Sequence, residues 1–94
     1  MAHHANRPKR VAITDCRLDR QSYVPLYQQI KDLLLDRMEH GELVAGDLIP
    51  SEAKLGAAFE VNRLTVRQAL YELRMEGYVT REKGRGTFVR GSVV

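Results

Sequence analysis

The fold of this chain is decided by residues 61–70, which read Val-Asn-Arg-Leu-Thr-Val-Arg-Gln-Ala-Leu. Asn62 is a residue type that caps helix N-termini, and Gly77 is a type that ends helices, so a helix is predicted between them, to about Glu76. Apolar residues recur within it at the spacing of one helical face. This face predicts a buried stripe made of Val66, Ala69, Leu70 and Leu73.

A shorter helix is predicted just before it, from about Glu52 to Phe59. Pro50 disfavours helix at the residue before it, and Ser51 is a suitable N-cap for the helix that follows. With about two turns, this helix cannot be stable alone and must pack on another element. The residues predicted to face inward are Leu55, Ala58 and Phe59. A short helix, a three-residue turn over 60–62 and a longer helix have the dimensions of a helix-turn-helix.

Another helix precedes this unit, running roughly from Val24 to His40, with Ser22 as a possible N-cap and Pro25 in the first turn. Gly41 has the conformational freedom that helix ends often need. The apolar stripe predicted for this helix is Leu26, Ile30, Leu33, Leu34 and Met38. Leu48 and Ile49, further on, are predicted as a brief strand.

From Tyr78 the hydrophobic period changes to two, which predicts strands over residues 78–82 and 86–90. Lys83, Gly84 and Arg85 form the tip of this hairpin. Three helices followed by a hairpin predict an α+β fold, a winged helix-turn-helix in which the hairpin is the wing.

Composition limits the function classes. Ninety-four residues with 44% hydrophobic content make one small domain with a single core. The net charge is +3, with basic residues concentrated towards both ends of the sequence and acidic ones in the middle. A single cysteine, Cys16, cannot form an internal disulfide and fits a reducing compartment. No membrane-length apolar run or secretory signal is present, so the expected location is the cytoplasm.

Motifs of catalysis are absent from the sequence. There is no phosphate-binding loop, because no helix follows the Gly84-x-Gly86 turn, and the histidines and Cys16 have no metal-ligand spacing. We therefore expect no enzymatic activity, no metal and no cofactor.

The exposed side of the third helix carries the chemistry. Arg63 and Arg67 are four residues apart, near the N-terminal end that a recognition helix inserts into the major groove. The arginine fork matches the paired acceptors of guanine, and such a contact can discriminate by ~1–3 kcal/mol. Gln68 could read adenine or hold a phosphate, and Thr65 suits phosphate. The alternative is a solvated face with intrahelical ion pairs, but neither arginine has an acidic partner within the helix.

The wing tip has a similar character. Lys83 and Arg85 flank Gly84, where side chains could reach an adjacent minor groove. The alternative is a soluble hairpin with charged ends.

A set of short motifs is spread over about residues 24–90: Pro25-Leu26-Tyr27, Gln29-Ile30, Gly41-x-Leu43, Gly46-Asp47-x-Ile49-Pro50-Ser51-Glu52, Leu55, Val61-x-Arg63-x-Thr65-Val66-Arg67-x-Ala69-Leu70, Leu73, Gly77 and Gly84-x-Gly86-Thr87-Phe88-Val89. Together they resemble the DNA-binding domain of GntR-family bacterial transcription regulators, the HutC-like branch most and the YtrA-like and MocR-like branches next.

This resemblance implies a repressor that binds a palindromic DNA operator as a homodimer, with a small-molecule effector bound only by a C-terminal domain that this sequence lacks. Residues 1–22 show no hydrophobic period and are interpreted as a mobile basic arm, the alternative being a disordered leader. The winged helix-turn-helix then covers 23–90, and 91–94 form the start of a linker. The resemblance also implies base contacts by Arg63 and Arg67 and phosphate contacts by Asn62 and Thr65. The full expected DNA-binding set is Ser51, Asn62, Arg63, Leu64, Thr65, Arg67, Gln68, Lys83, Gly84, Arg85, Gly86 and Thr87.

Two departures from the family pattern bear on function. Ala53 stands where many members have a basic residue that touches DNA, and Ala45-Gly46 replaces a frequent Pro-Gly. The second function class is a winged-helix module that binds proteins and has lost DNA binding. Acidic replacements on the third helix would favour that class, and this sequence has arginines there.

Overall fold

The computed structural model describes residues 17–91. Predictions for Cys16, for the arm over 1–16 and for the linker over 92–94 fall outside this range. The described chain contains three helices followed by two strands, in the order α1 (Leu26–Glu39), α2 (Glu52–Phe59), α3 (Arg63–Met75), β1 (Val79–Glu82) and β2 (Gly86–Val89). The predicted winged helix-turn-helix is confirmed.

Helix α1 begins later than the sequence pattern predicted. Pro25 occupies the N-cap position, and its carbonyl accepts the first helical hydrogen bonds, from the amides of Gln28 and Gln29 at 3.0 and 3.1 Å. The prediction of Ser22 as N-cap is wrong, because its hydroxyl accepts from the Val24 amide upstream of the helix. Gly41 has a φ of 77°, and the chain leaves α1 there as predicted.

The helix-turn-helix follows its predicted bounds closely. The Ser51 hydroxyl accepts a hydrogen bond from the Lys54 amide at 3.1 Å, and the Asn62 side chain accepts one from Leu64 at 2.7 Å. Both caps confirm the predicted helix starts. Between the helices, Glu60 adopts a left-handed φ of 56°, a conformation that costs energy in a residue with a Cβ.

The wing pairs β1 with β2 in antiparallel register, Val79 lying opposite Val89 and Glu82 opposite Gly86. Each strand is one residue shorter than predicted. The brief strand predicted at residues 48–49 is a single bridge from Leu48 to Phe88, flanked by a 2.8 Å bond from the Ile49 amide to the Thr87 carbonyl. Gly86 is needed at this junction, because a Cβ there would lie 2.9 Å from the Leu48 side chain and φ is 123°.

One hydrophobic core lies between the helices and the base of the wing. The predicted α3 stripe is buried in full, whereas Leu33 and Met38 of the α1 stripe are only partly buried. Gly56, which the sequence pattern did not single out, is buried where α2 meets the turn. A Cβ at this position would lie 3.2 Å from the Val61 carbonyl oxygen. The buried hydrophobic residues are Ile30, Leu34, Leu43, Ile49, Leu55, Phe59, Val66, Ala69, Leu70, Leu73, Val79 and Val89.

A buried charge network joins α1 to α3. The Lys31 ammonium lies 2.6 Å from a Glu76 carboxylate oxygen and 3.1 Å from one of Glu72, and Lys31 is only 5% exposed. These carboxylates, Glu76 above all, raise the pKa of Lys31. Burial of an ammonium is costly unless it is paired, and the two carboxylates offset that cost for Lys31.

The packed part of the chain begins upstream of residue 23, where the arm was predicted to end. Leu18 packs against the core, and the Arg20 guanidinium donates to the carbonyls of Phe59 and Glu60 at 2.8 and 2.7 Å. Arg20 thereby satisfies the carbonyls at the end of α2 and brings a positive charge to the negative end of that helix.

Candidate nucleic-acid interface

Helix α3 has two flanks of opposite charge on either side of an exposed strip. At 3.6 residues per turn, Arg63, Arg67 and Arg74 align along the flank nearer the wing. Glu72 and Glu76 align along the other flank, where both bind Lys31 of α1. The strip between the flanks carries three exposed apolar side chains, Leu64, Tyr71 and Met75. Cations are therefore available on the wing side of α3 only.

The basic flank opens onto a concave surface that joins three elements. This concavity, of about 540 Å³, lies between the start of α2, the first half of α3 and the wing. Six predicted DNA-binding residues line it, namely Ser51, Arg63, Arg67, Arg85, Gly86 and Thr87. The fold thus brings together residues that are up to 36 positions apart in the sequence, from 51 to 87.

The other six predicted residues lie outside the concavity. Thr65 and Gln68 turn towards the acidic flank, and the Gln68 amide donates to Glu72 at 2.6 Å. Lys83 and Gly84 form the exposed turn beyond the strands. Asn62 and Leu64 start α3, where the Asn62 side chain is engaged as the helix cap.

Two cations in the concavity were not predicted. Lys54 is exposed one residue beyond Ala53, and Arg81 is exposed on β1, on the strand face that carries the buried Val79. The strand period of two was the signal that could have found Arg81, because residues 79 and 81 share a face. These two side chains line the same concavity as Ala53 and bring positive charge to it.

Arg67 has an acidic partner after all, on a different helix. Its Nε lies 3.2 and 3.3 Å from the two oxygens of Glu52, and its Nη2 lies 2.9 Å from Oε1. The hydrogen bond from Arg67 holds the pKa of Glu52 below its ordinary value of 4.5, with smaller contributions from the charges of Arg81 and Arg63. The absence of an acid within α3 therefore does not mean that this arginine is unpaired.

Arg63 is the cation of α3 with the fewest constraints. Within residues 17–91 it has neither a hydrogen bond nor an ion pair, although its charge acts on Glu52. Its Cγ lies near the end of α2, 3.6 Å from where a Cβ at Gly56 would stand. An arginine on the first turn of α3 is thus free to bind a ligand.

The wing tip presents Arg85 in a defined position. Its Nη1 lies 2.7 Å from Glu82, and its guanidinium stacks 5.4 Å from the centre of the Phe88 ring. Lys83 is exposed, and Gly84 has a φ of 77°, so the tip turns at a residue without a side chain. A cation stacked on an aromatic ring keeps free N–H groups for an acceptor.

Comparisons with known proteins agree with this architecture. The profile of "Bacterial regulatory proteins, gntR family" matches residues 26–89. This chain belongs to the GntR family. The GntR chain is 44% identical over 72 residues to the HTH-type transcriptional repressor NagR of Bacillus subtilis (strain 168), covering 77% of this chain and 30% of NagR. It is 40% identical over 70 residues to the histidine utilization repressor of Klebsiella aerogenes, covering 74% of this chain and 29% of that protein.

A solved structure adds information on DNA. The DNA-binding domain of AraR in complex with operator ORX1 superimposes with a TM-score of 0.72 and 31% identity, covering 78% of this chain and 93% of that one.

The similarity to a histidine utilization repressor confirms the resemblance to the HutC-like branch. This GntR chain spans about 30% of the length of the curated relatives. No helix within residues 17–91 is long and apolar enough to cross a membrane.

Proposed function

We propose that this chain is the DNA-binding part of a GntR-type transcription repressor. It reads one half of a palindromic operator with α3 in the major groove and the wing in the adjacent minor groove. The observation that carries the proposal is the concavity in which Arg63, Arg67 and Arg81 face the same space as Arg85 of the wing. An α-helix with its side chains is 10–12 Å wide and a major groove is about 12 Å wide, so the two match.

The roles of individual residues follow from chemistry and exposure. Arg63 and Arg67 read base edges, since a guanidinium can donate two parallel hydrogen bonds to guanine. Lys54, Arg81 and the amides at the start of α2 bind phosphates, which positions the domain without reading sequence. Arg85 and Lys83 bind in or beside the minor groove, where the hydrogen-bond pattern is degenerate.

The partners follow from the relatives. AraR, whose domain is similar, was solved on operator DNA, which supports duplex DNA as the ligand here. NagR and the histidine utilization repressor are more than three times as long as the matched segment, each named as a repressor. We propose that the complete regulator is a cytoplasmic homodimer with a small-molecule effector bound outside this domain.

A second function, a winged-helix module that binds proteins, is favoured by one observation. Arg67 and Arg85 are each paired with a carboxylate, as expected of a solvated surface. The balance still favours DNA, because Arg63, Lys54 and Lys83 have no ion pair within residues 17–91.

Selection from a pool of duplexes with a randomised centre tests the two functions. The chain is mixed with the pool at low salt, bound duplexes are recovered, and the cycle is repeated with rising salt. A DNA-reading domain enriches a half-site, and affinity for it exceeds affinity for the starting pool. A module that has lost DNA reading enriches nothing, and its retention disappears in moderate salt.

A further inference from the structure

The ion pair between α2 and α3 has a geometry that leaves half of the arginine unused. Glu52 engages the edge of the Arg67 guanidinium formed by Nε and Nη2, at distances of 2.9–3.3 Å. A guanidinium has five N–H donors, and this contact uses one on each of those two nitrogens. No acceptor within residues 17–91 is bonded to Nη1. The edge formed by Nη1 and Nη2 is therefore free, and it also presents two parallel donors.

The two partners differ in how firmly the protein holds them. The Glu52 side chain is 19% exposed and sits in the first turn of α2, directly after the Ser51 cap. The Arg67 side chain is 54% exposed and projects from α3. The less exposed carboxylate is therefore the more constrained partner, and the guanidinium is the partner that it orients.

We propose that Glu52 is a specificity-determining positioning residue: its carboxylate holds one edge of Arg67 so that the opposite edge faces a single guanine. This inference rests on the proposed function, since it concerns how the same surface reads DNA. Arg67 without Glu52 keeps its charge but loses its orientation, and a mobile guanidinium binds any phosphate oxygen within reach. The carboxylate also repels phosphates, which disfavours binding to the wrong sequence.

The wing contains a pair that serves as a control. Glu82 binds Arg85 through one nitrogen at 2.7 Å, three residues apart in the chain, and both side chains are more exposed than Glu52. Replacing Glu82 by Gln removes the same charge beside another candidate DNA-binding arginine. It leaves the α2–α3 contact unchanged.

The experiment compares four proteins, namely the parent chain, Glu52→Gln, Glu52→Asp and Glu82→Gln. Duplexes are selected with the parent from a randomised pool, and Arg67→Ala identifies the base pair at which discrimination depends on Arg67. Each protein is then titrated against the selected duplex and against single-base-pair variants at that position. Thermal melting shows which variants are folded, and Glu52→Asp keeps the helix-terminal charge if the glutamine variant unfolds.

Both Glu52 variants are expected to lose about tenfold in discrimination at that base pair, within the range of one bidentate base contact. Glu52→Gln should also bind the starting pool more tightly, because it has one fewer negative charge. Glu82→Gln should bind the pool more tightly with unchanged discrimination. Discrimination that survives in folded Glu52→Gln and Glu52→Asp overturns the inference while leaving DNA reading intact. A parent that enriches no sequence overturns the proposed function and this inference with it.

Discussion

At the scale of single residues, Arg67 is a candidate DNA-binding side chain that is already oriented by a contact within the protein. Its guanidinium is exposed towards the concavity yet held by Glu52 of the neighbouring helix. Gln68, the next residue, is held in the same manner by Glu72, which in turn binds the buried Lys31. Polar side chains that are ordered before they bind lose less conformational entropy on binding.

Replacing Arg67 by Ala tests the contribution of that side chain. The change should weaken binding to a selected operator by ~1–3 kcal/mol, because a base-reading arginine is lost and the Glu52 carboxylate is left facing DNA. The fold should persist, since Arg67 lies off the buried stripe of α3. Titration with the operator and circular-dichroism melting measure the two effects. Operator binding equal to that of the parent, or a variant that no longer folds, would contradict the prediction.

Replacing Glu60 by Gly should stabilise the domain by about 0.5–1 kcal/mol. Glu60 has a φ of 56°, and a left-handed conformation costs ~1–2 kcal/mol in a residue with a Cβ. Glycine removes this cost, but part of the gain is lost because glycine also makes the unfolded chain more flexible. The carbonyl of residue 60 still accepts from Arg20. Urea denaturation gives the free energy of unfolding. Glu39→Gly, within helix α1, is the matched control and should destabilise instead.

At the scale of elements, the wing is a short two-stranded ribbon that would be marginal alone. Its base is joined to the body by the Leu48 bridge and by the Val89 amide, which donates to the Asp47 carbonyl at 2.8 Å. Its tip projects with Lys83 and Arg85 exposed. The element is thus anchored at the core and free to approach DNA at its end.

Neutralising the tip by the double change Lys83→Gln and Arg85→Gln should reduce affinity for all duplexes and leave base preference unchanged. Each phosphate contact that is lost lowers the slope of log affinity against log salt by about one, so a reduction of roughly one to two is expected. Titrations at several salt concentrations, with the selected operator and with an unrelated duplex, measure it. An unchanged slope together with a shifted base preference would mean that the wing reads sequence.

At the scale of the whole molecule, acidic side chains link stability to pH. Hydrogen bonds from Arg67 and Gln68 lower the pKa of Glu52 and of Glu72, and the ammonium of Lys31 adds to the second effect. Carboxyls with a lowered folded pKa stabilise the fold fully above their ordinary value of 4.5, and this contribution is lost as pH falls through the lowered values. The melting temperature should therefore fall steadily below about pH 5. The double variant Glu52→Gln and Glu72→Gln should have a lower melting temperature than the parent at pH 7, and its melting temperature should fall less as the pH decreases. An equal decrease in the two proteins would refute the link.

The described domain should be mostly monomeric in dilute solution and should pair on DNA. Its large apolar side chains are mainly buried in its own core, and the exposed ones lie on α3 and in the segments before, between and after the helices. A stable dimer interface needs about 1,200 Å² or more of buried area. Only eight large apolar side chains are exposed within residues 17–91, and three of them share the strip on α3. Sedimentation at micromolar concentration decides the matter, and a stable dimer there would contradict the prediction.

Local sequence determined most of the fold. Capping and helical periodicity depend on residues within a few positions of one another. Local sequence therefore predicted the bounds of α2, the caps Ser51 and Asn62, and the buried stripe of α3. The same reasoning placed the wing and its tip. It failed at the start of α1. Ser22 was predicted as the N-cap and Pro25 as a first-turn residue, whereas Pro25 is the N-cap in the structure.

Only the tertiary structure decided which charges meet. Glu52 and Arg67 are 15 residues apart, Lys31 and Glu76 are 45 apart, and Arg20 reaches the end of α2 across 39. Spacing along the chain carries no information about such pairs, because they form only after helices from different parts of the sequence have packed on the common core. The sequence alone therefore predicted candidate DNA-binding side chains, although it missed Lys54 and Arg81, and packing determined that Arg67 is paired.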